Sequence, residues 1–139
     1  MCIFCKIIDH KLEAAWVYET TSIAVFADAC PSAPGHVLVI PKRHVEKVTD
    51  LTELEAQELY RVVFLVQKAM VDVWQIPGQN LQINSGVIAG QEVMHAHIHV
   101  IPRKKARSGE APIFVPLETR VLAVKGLKDY FDHLLEKSN

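Results

Sequence analysis

No run of apolar residues in this 139-residue chain is long enough to cross a bilayer; stretches such as Val62 to Val66 fall far short of the roughly 18 residues a span requires. No membrane partner is expected. Charge of one sign is also missing. Fifteen Lys and Arg stand against 16 Asp and Glu, a net charge of -1, so no broad basic field draws in nucleic acid, and an anionic ligand must be held by a local site. Cysteine is scarce and odd in number, three in all with two of them three residues apart, which suits metal ligation or plain burial better than a secreted disulfide framework. The opening residues lack the basic and apolar regions of a secretory signal, so a cytoplasmic, reducing setting is expected. Neither Gly-x-Gly-x-x-Gly nor a Walker-type Gly-Lys-Ser/Thr sequence occurs, which excludes nucleotide binding by those two routes.

What is present reads as one soluble α+β domain. Half the residues are apolar and 22% are charged, with no repeat or low-complexity stretch. Short β-branched and aromatic runs at Trp16–Tyr18 and Ile23–Ala27 flank a polar turn, as in a hairpin. A loop with two prolines and a glycine leads to a third strand, His36–Ile40. Asp50-x-x-Glu53 and Thr52-x-x-Glu55 both have capping-box form, and Leu59, Val62, Val63, Val66, Met70 and Val73 continue at helical spacing, which predicts one long helix ended at Ile76-Pro77-Gly78. Further strands are expected over Asn80–Ser85 and His95–Ile101. An apolar stripe at Leu127, Tyr130, Phe131, Leu134 and Leu135 predicts a short terminal helix.

The outstanding feature is His95-Ala96-His97-Ile98-His99-Val100-Ile101, in which three histidines alternate with apolar residues. In a strand, the period of two puts all three imidazoles on one face, ~6.6 Å apart between neighbouring Cα atoms. Two chemistries fit. Histidines on one face can chelate a metal that activates water, making a metal-dependent hydrolase with His95, His97 and His99 as ligands. Alternatively, a neutral imidazole can attack phosphorus and form a covalent intermediate that water later releases. Gly90-Gln91-Glu92-Val93 before the strand, together with Asn84, offers backbone and amide donors to an oxyanion. A nucleotide-binding regulatory protein with little turnover is a third reading.

These residues resemble the histidine triad (HIT) superfamily. The resemblance rests on His95–Ile101, Cys2-Ile3-Phe4-Cys5, Phe26-x-Asp28, Pro31-x-Ala33-Pro34-Gly35-His36, Val39-Ile40-Pro41-Lys42-x-His44, Asn84-x-Gly86 and Gly90-Gln91-x-Val93. It implies a single HIT domain over residues 1–139, with the motifs in about 2–102 and a tail at 103–139. The implied fold is an antiparallel five-stranded meander with one long helix and short terminal helices, its sheet extended across a homodimer. The implied activity is hydrolysis or transfer at the α-phosphate of purine nucleoside phosphoramidates, adenylylated amines or dinucleoside polyphosphates, with no metal needed for the chemistry. By position in the motifs, His97 is the nucleophile, His99 its phosphate-binding neighbour, and His36 lies at the same site. Asp28 matches the ribose carboxylate, while Asn84, Gln91 and Val93 match phosphate contacts. Phe4, Ile7 and Leu38 fall in the base pocket. Glu92 departs from the phosphoramidase-like branch, where Ser or Thr stands.

Two thiolates need two more ligands to close a tetrahedral zinc site. His44 and His95 can supply them, and they match the zinc site of HIT proteins that begin with this Cys pair. A structural zinc held by Cys2, Cys5, His44 and His95 is the expectation. Cys30 is expected to be a buried thiol, and His10 and His133 solvated helix residues.

Overall fold

The computed structural model describes residues 2–138. Helix α1 (Ile3–Ile8) is followed by strands β1 (Trp16–Glu19), β2 (Ile23–Ala27) and β3 (Val37–Pro41), helix α2 (Glu53–Trp74), strands β4 (Gly78–Gln82) and β5 (Ile98–Arg103), and helix α3 (Leu117–Ser138). All neighbouring strands are antiparallel, in the order β1-β2-β3-β5-β4. The first three form a meander. α2 then carries the chain past the sheet, and β5 returns from the edge strand β4 to fill the place beside β3.

Local chemistry sets these elements. Thr20 Oγ1 accepts from the N–H groups of Ser22 and Ile23 at 3.2 and 3.0 Å and closes the β1–β2 turn. Of the two capping-box candidates, Thr52 and Glu55 start α2, with reciprocal bonds of 3.1 and 2.8 Å. Asp50 instead accepts from Lys47 N–H and closes a short 3-10 turn. α2 ends at Trp74, two residues before Ile76, and its cap residue Gln75 takes the left-handed conformation at φ 47°.

The sheet divides two apolar clusters. Behind it, Val25, Val37, Val39, Ile98 and Val100 pack on Leu59, Val62, Val66 and Met70 of α2 and on Leu127 and Phe131 of α3. Burial of each such side chain contributes roughly 1.5–3 kcal/mol. In front, Ala24, Phe26, Leu38 and Ile40 pack on Phe4 and Ile7 of α1. The alternation along β2 and β3 thus fills both faces, which explains why both strands are buried throughout.

Four expectations change. β4 stops at Gln82 rather than Ser85, because its partner β5 runs no further than Ile98 and Gln82 is already opposite His99. β5 begins at Ile98 rather than His95: its pairing with β3 ends at Val39, and Pro41 has no N–H with which to continue the ladder. α3 has 22 residues and equals α2 in length, since Val124, one turn before Leu127, is buried in the same cluster. His10 lies beyond α1 in a left-handed turn at φ 59°, with its ring 5.3 Å from that of Trp16, whereas His133 is an exposed residue of α3. Among the described residues, no helix is long and apolar enough to cross a membrane.

Candidate functional site

Cross-strand register builds the floor of the site. Phe26 stands opposite Leu38, Leu38 opposite His99, and His99 opposite Gln82, one row across four strands. All four line a cavity of about 440 Å³. Phe4 and Ile7 of α1 form one wall; Asp28, Cys30 and His36 come from the β2–β3 region, and Asn84, Gly90, Glu92 and Val93 from the loop before the histidines. His97 and His99 also open onto the cavity, with ring centroids 5.0 Å apart.

The three motif histidines do not share one environment. His97 and His99 face the cavity, but His95 is fully buried and turned toward the cysteines. A metal held by His95, His97 and His99 therefore has no counterpart here. The period-two argument needs an unbroken ladder, and residues 92–97 lie outside it; Ala96 N–H donates to the Val45 carbonyl instead.

Hydrogen bonds fix the proton on each ring. His97 Nδ1–H donates to the His95 carbonyl at 2.7 Å, leaving Nε2 with its lone pair. His95 Nε2–H donates to the Pro41 carbonyl at 2.7 Å, leaving Nδ1 free as a ligand atom. His36 Nδ1 accepts from Ser32 N–H at 2.9 Å, so its proton sits on Nε2, which donates to His99 Nδ1 at 3.0 Å. His99 is thus left with Nε2–H as a donor. Burial lowers the pKa of His97, and it pushes His36 down to about 4, keeping both rings neutral near pH 7. Burial works to raise the Asp28 carboxyl, but the nearby His99 and His36 imidazoles and the Cys30 N–H outweigh it and hold it below its ordinary range.

Two groups of side chains converge as metal ligands would. In the first, the Cys2 Sγ lies 3.6 and 3.4 Å from Nδ1 of His44 and His95, the Cys5 Sγ lies 3.3 and 3.6 Å from them, and the two Nδ1 atoms are 3.2 Å apart. Tetrahedral zinc with ordinary bond lengths requires separations of about 3.5 Å, and the His95–Pro41 bond is the outer contact that orients a ligating imidazole. These four residues fit zinc. The second group, Asp28, His36 and His99, has ligand atoms 3.0 to 3.5 Å apart, but Ser32 N–H keeps a proton on His36 Nε2, so that corner donates rather than ligates.

Gln91 does not reach the cavity with its amide. It is 4% exposed, its Oε1 accepts from Gly86 N–H and its Nε2 donates to the Glu46 and Val93 carbonyls, so the side chain braces the loop. Cys30 is exposed on the cavity rim rather than buried, because Asp28 Oδ1 accepts its N–H and turns the loop outward. Arg120 of α3 also lines the cavity; nothing in the sequence around it marks it, since it belongs to no motif.

Comparison with known families matches residues 10–106 to the HIT domain. The chain is 45% identical over 93 residues to the asymmetrical bis(5'-nucleosyl)-tetraphosphatase of Schizosaccharomyces pombe, covering 67% of this chain and 51% of that relative, so it spans about half of that protein. It is 36% identical over 108 residues to the adenosine 5'-monophosphoramidase of Saccharomyces cerevisiae, covering 78% and 66% of the two chains. Among solved structures, a zinc-bound histidine triad family protein from Mycobacterium smegmatis superposes with a TM-score of 0.81 at 30% identity, over 98% of this chain and 96% of that one.

Proposed function

The chain belongs to the HIT family, and from that premise we propose that it is a nucleotide hydrolase or transferase working at the α-phosphorus of purine nucleoside phosphoramidates, adenylylated amines or dinucleoside polyphosphates. The observation that carries this reading is the 2.7 Å bond from His97 Nδ1–H to the His95 carbonyl. It leaves a neutral nucleophilic Nε2 at the cavity surface, and it stabilises the charge the ring acquires when a P–N bond forms. The Nε2 lone pair attacks the α-phosphorus, the bond to the leaving group breaks, and that group departs with a proton from solvent, which the attacking water of the next step returns. His99 Nε2–H and the Asn84 amide face the phosphoryl oxygens. Water then cleaves the nucleotidyl-His97 bond, releasing the nucleoside monophosphate and restoring the neutral ring. Asp28, held ionised, accepts hydrogen bonds from ribose hydroxyls, and Phe4, Ile7 and Leu38 enclose the base.

Zinc held by Cys2, Cys5, His44 and His95 would supply a structural clamp in this reading, tying α1 to the chain before β5. A homodimer is part of the same reading, supported by the exposed apolar stripe Tyr60, Phe64 and Val71 along α2.

Rapid-quench mass spectrometry with adenosine 5'-phosphoramidate and with a dinucleoside tetraphosphate tests the mechanism. One added adenylyl mass on the wild type, absent from His97→Ala, is expected. Turnover without any adduct, lost on chelation before the fold melts, would reject it.

A further inference from the structure

Arg120 stands in the first turns of α3, beyond the residues 10–106 matched to the HIT domain, yet it lines the cavity. Its placement is built by the fold. Val115 N–H donates to the Ala29 carbonyl at 2.9 Å, which ties the segment before α3 to the loop that bears Asp28 and Cys30. Arg120 Nε donates to the Val115 carbonyl at 2.9 Å, and the guanidinium carbon lies 5.6 Å from the centre of the Phe114 ring. One edge of the guanidinium is therefore committed. Among the described residues, its two terminal nitrogens have no protein acceptor and no ion-pair partner.

The charge of the cavity gives this placement its meaning. Asp28 and Glu92 contribute two carboxylates, and burial holds His36 neutral. Arg120 is the one side chain of the wall, among the described residues, that carries a permanent positive charge. Without it, a substrate with several phosphates meets net negative charge on entering. A phosphoramidate with a neutral amine leaving group has much less need of a cation. A half-buried guanidinium with two free nitrogens has the fork geometry that phosphate oxygens accept.

We infer that Arg120 is a specificity-determining residue that pairs with phosphate groups beyond the α-phosphate, so that this chain favours nucleoside polyphosphates over nucleoside phosphoramidates. The inference rests on the nucleotide-hydrolase reading of the cavity and names the substrate class within it.

Equilibrium binding of AMP, ADP and ATP to the wild type, Arg120→Gln and Arg120→Lys tests it without turnover. Wild-type affinity should rise about tenfold or more from AMP to ATP, as expected of charge-assisted hydrogen bonds. The rise should vanish in the Gln variant and return in part with Lys. An unchanged rise in Arg120→Gln, or equal weakening of all three ligands, would overturn the inference. In kinetics, Arg120→Gln should lower kcat/KM for a dinucleoside tetraphosphate about tenfold, through KM, and leave adenosine 5'-phosphoramidate within about twofold; equal losses on both would mean Arg120 acts only as wall. The affinity rise without turnover of either substrate would sink the hydrolase reading and leave the Arg120 assignment standing. A wild type that binds none of the three nucleotides would sink both.

Discussion

His36, His95 and His97 each owe their tautomer to a backbone group, and His99 takes its own from His36, so identical side chains diverge without any difference in covalent chemistry. His97 and His95 both donate to carbonyls, but from opposite nitrogens, which leaves the lone pair on Nε2 of one ring and on Nδ1 of the other. His97→Ala should lower turnover by about 10³-fold or more while leaving nucleotide affinity within a fewfold, measured by steady-state kinetics and calorimetry. Because burial holds the folded pKa of His97 below the ordinary 6.5, the acid limb of kcat/KM should fall below that pH, the rate declining as protonation removes the lone pair. A limb centred above 6.5 would contradict a buried neutral nucleophile. At this scale the sequence is informative about residue type and weak about direction. Alternation places all three motif imidazoles together, yet what sends His95 the other way is the end of a ladder at Pro41, a contact 54 residues distant. Gln91 likewise reads as a ligand donor until the carbonyls of Glu46 and Val93 are seen to use its amide.

Helix α1 has only six residues and faces two sites. Cys2 and Cys5 present sulfur to His44 and His95, while Phe4 and Ile7 wall the cavity, and the Phe4 ring lies 5.2 Å from that of His97. Cys5→Ser should accordingly lower Tm and weaken nucleotide affinity together, in scanning fluorimetry and calorimetry; a fall in Tm with unaltered affinity would mean that the wall survives without its clamp. The turn before β3 is as constrained. Gly35 has φ +92°, and a β-carbon there would stand 2.7 Å from the Trp74 ring, so Gly35→Ala should cost roughly 1–3 kcal/mol in urea unfolding and disturb His36 beside it. Elements were largely legible: β2 and the body and cap of α2 follow from pattern alone. The tail was less so, because the proline-containing stretch before α3 hides where the helix begins and that its Arg120 lines the cavity.

Across the whole molecule, buried histidine links stability to acidity. His36 has a folded pKa of about 4 against an ordinary 6.5, so between those values the unfolded chain holds more protons than the folded one. Stability should therefore fall as the pH drops from about 6.5 to about 4, by up to about 3 kcal/mol from this residue. Urea unfolding at several pH values, with His36→Gln flattening the slope, checks the sign and the source.

The sheet that parts the two apolar clusters has a consequence for how such a sequence diversifies. The larger cluster, between the sheet and the two long helices, holds most of the buried apolar side chains; the smaller one, under α1, holds those that line the cavity. Substitutions that reshape the cavity fall mainly on the smaller cluster and leave the larger one intact. Ligand preference can drift across generations on one side of the β-layer while the other side keeps the scaffold folded.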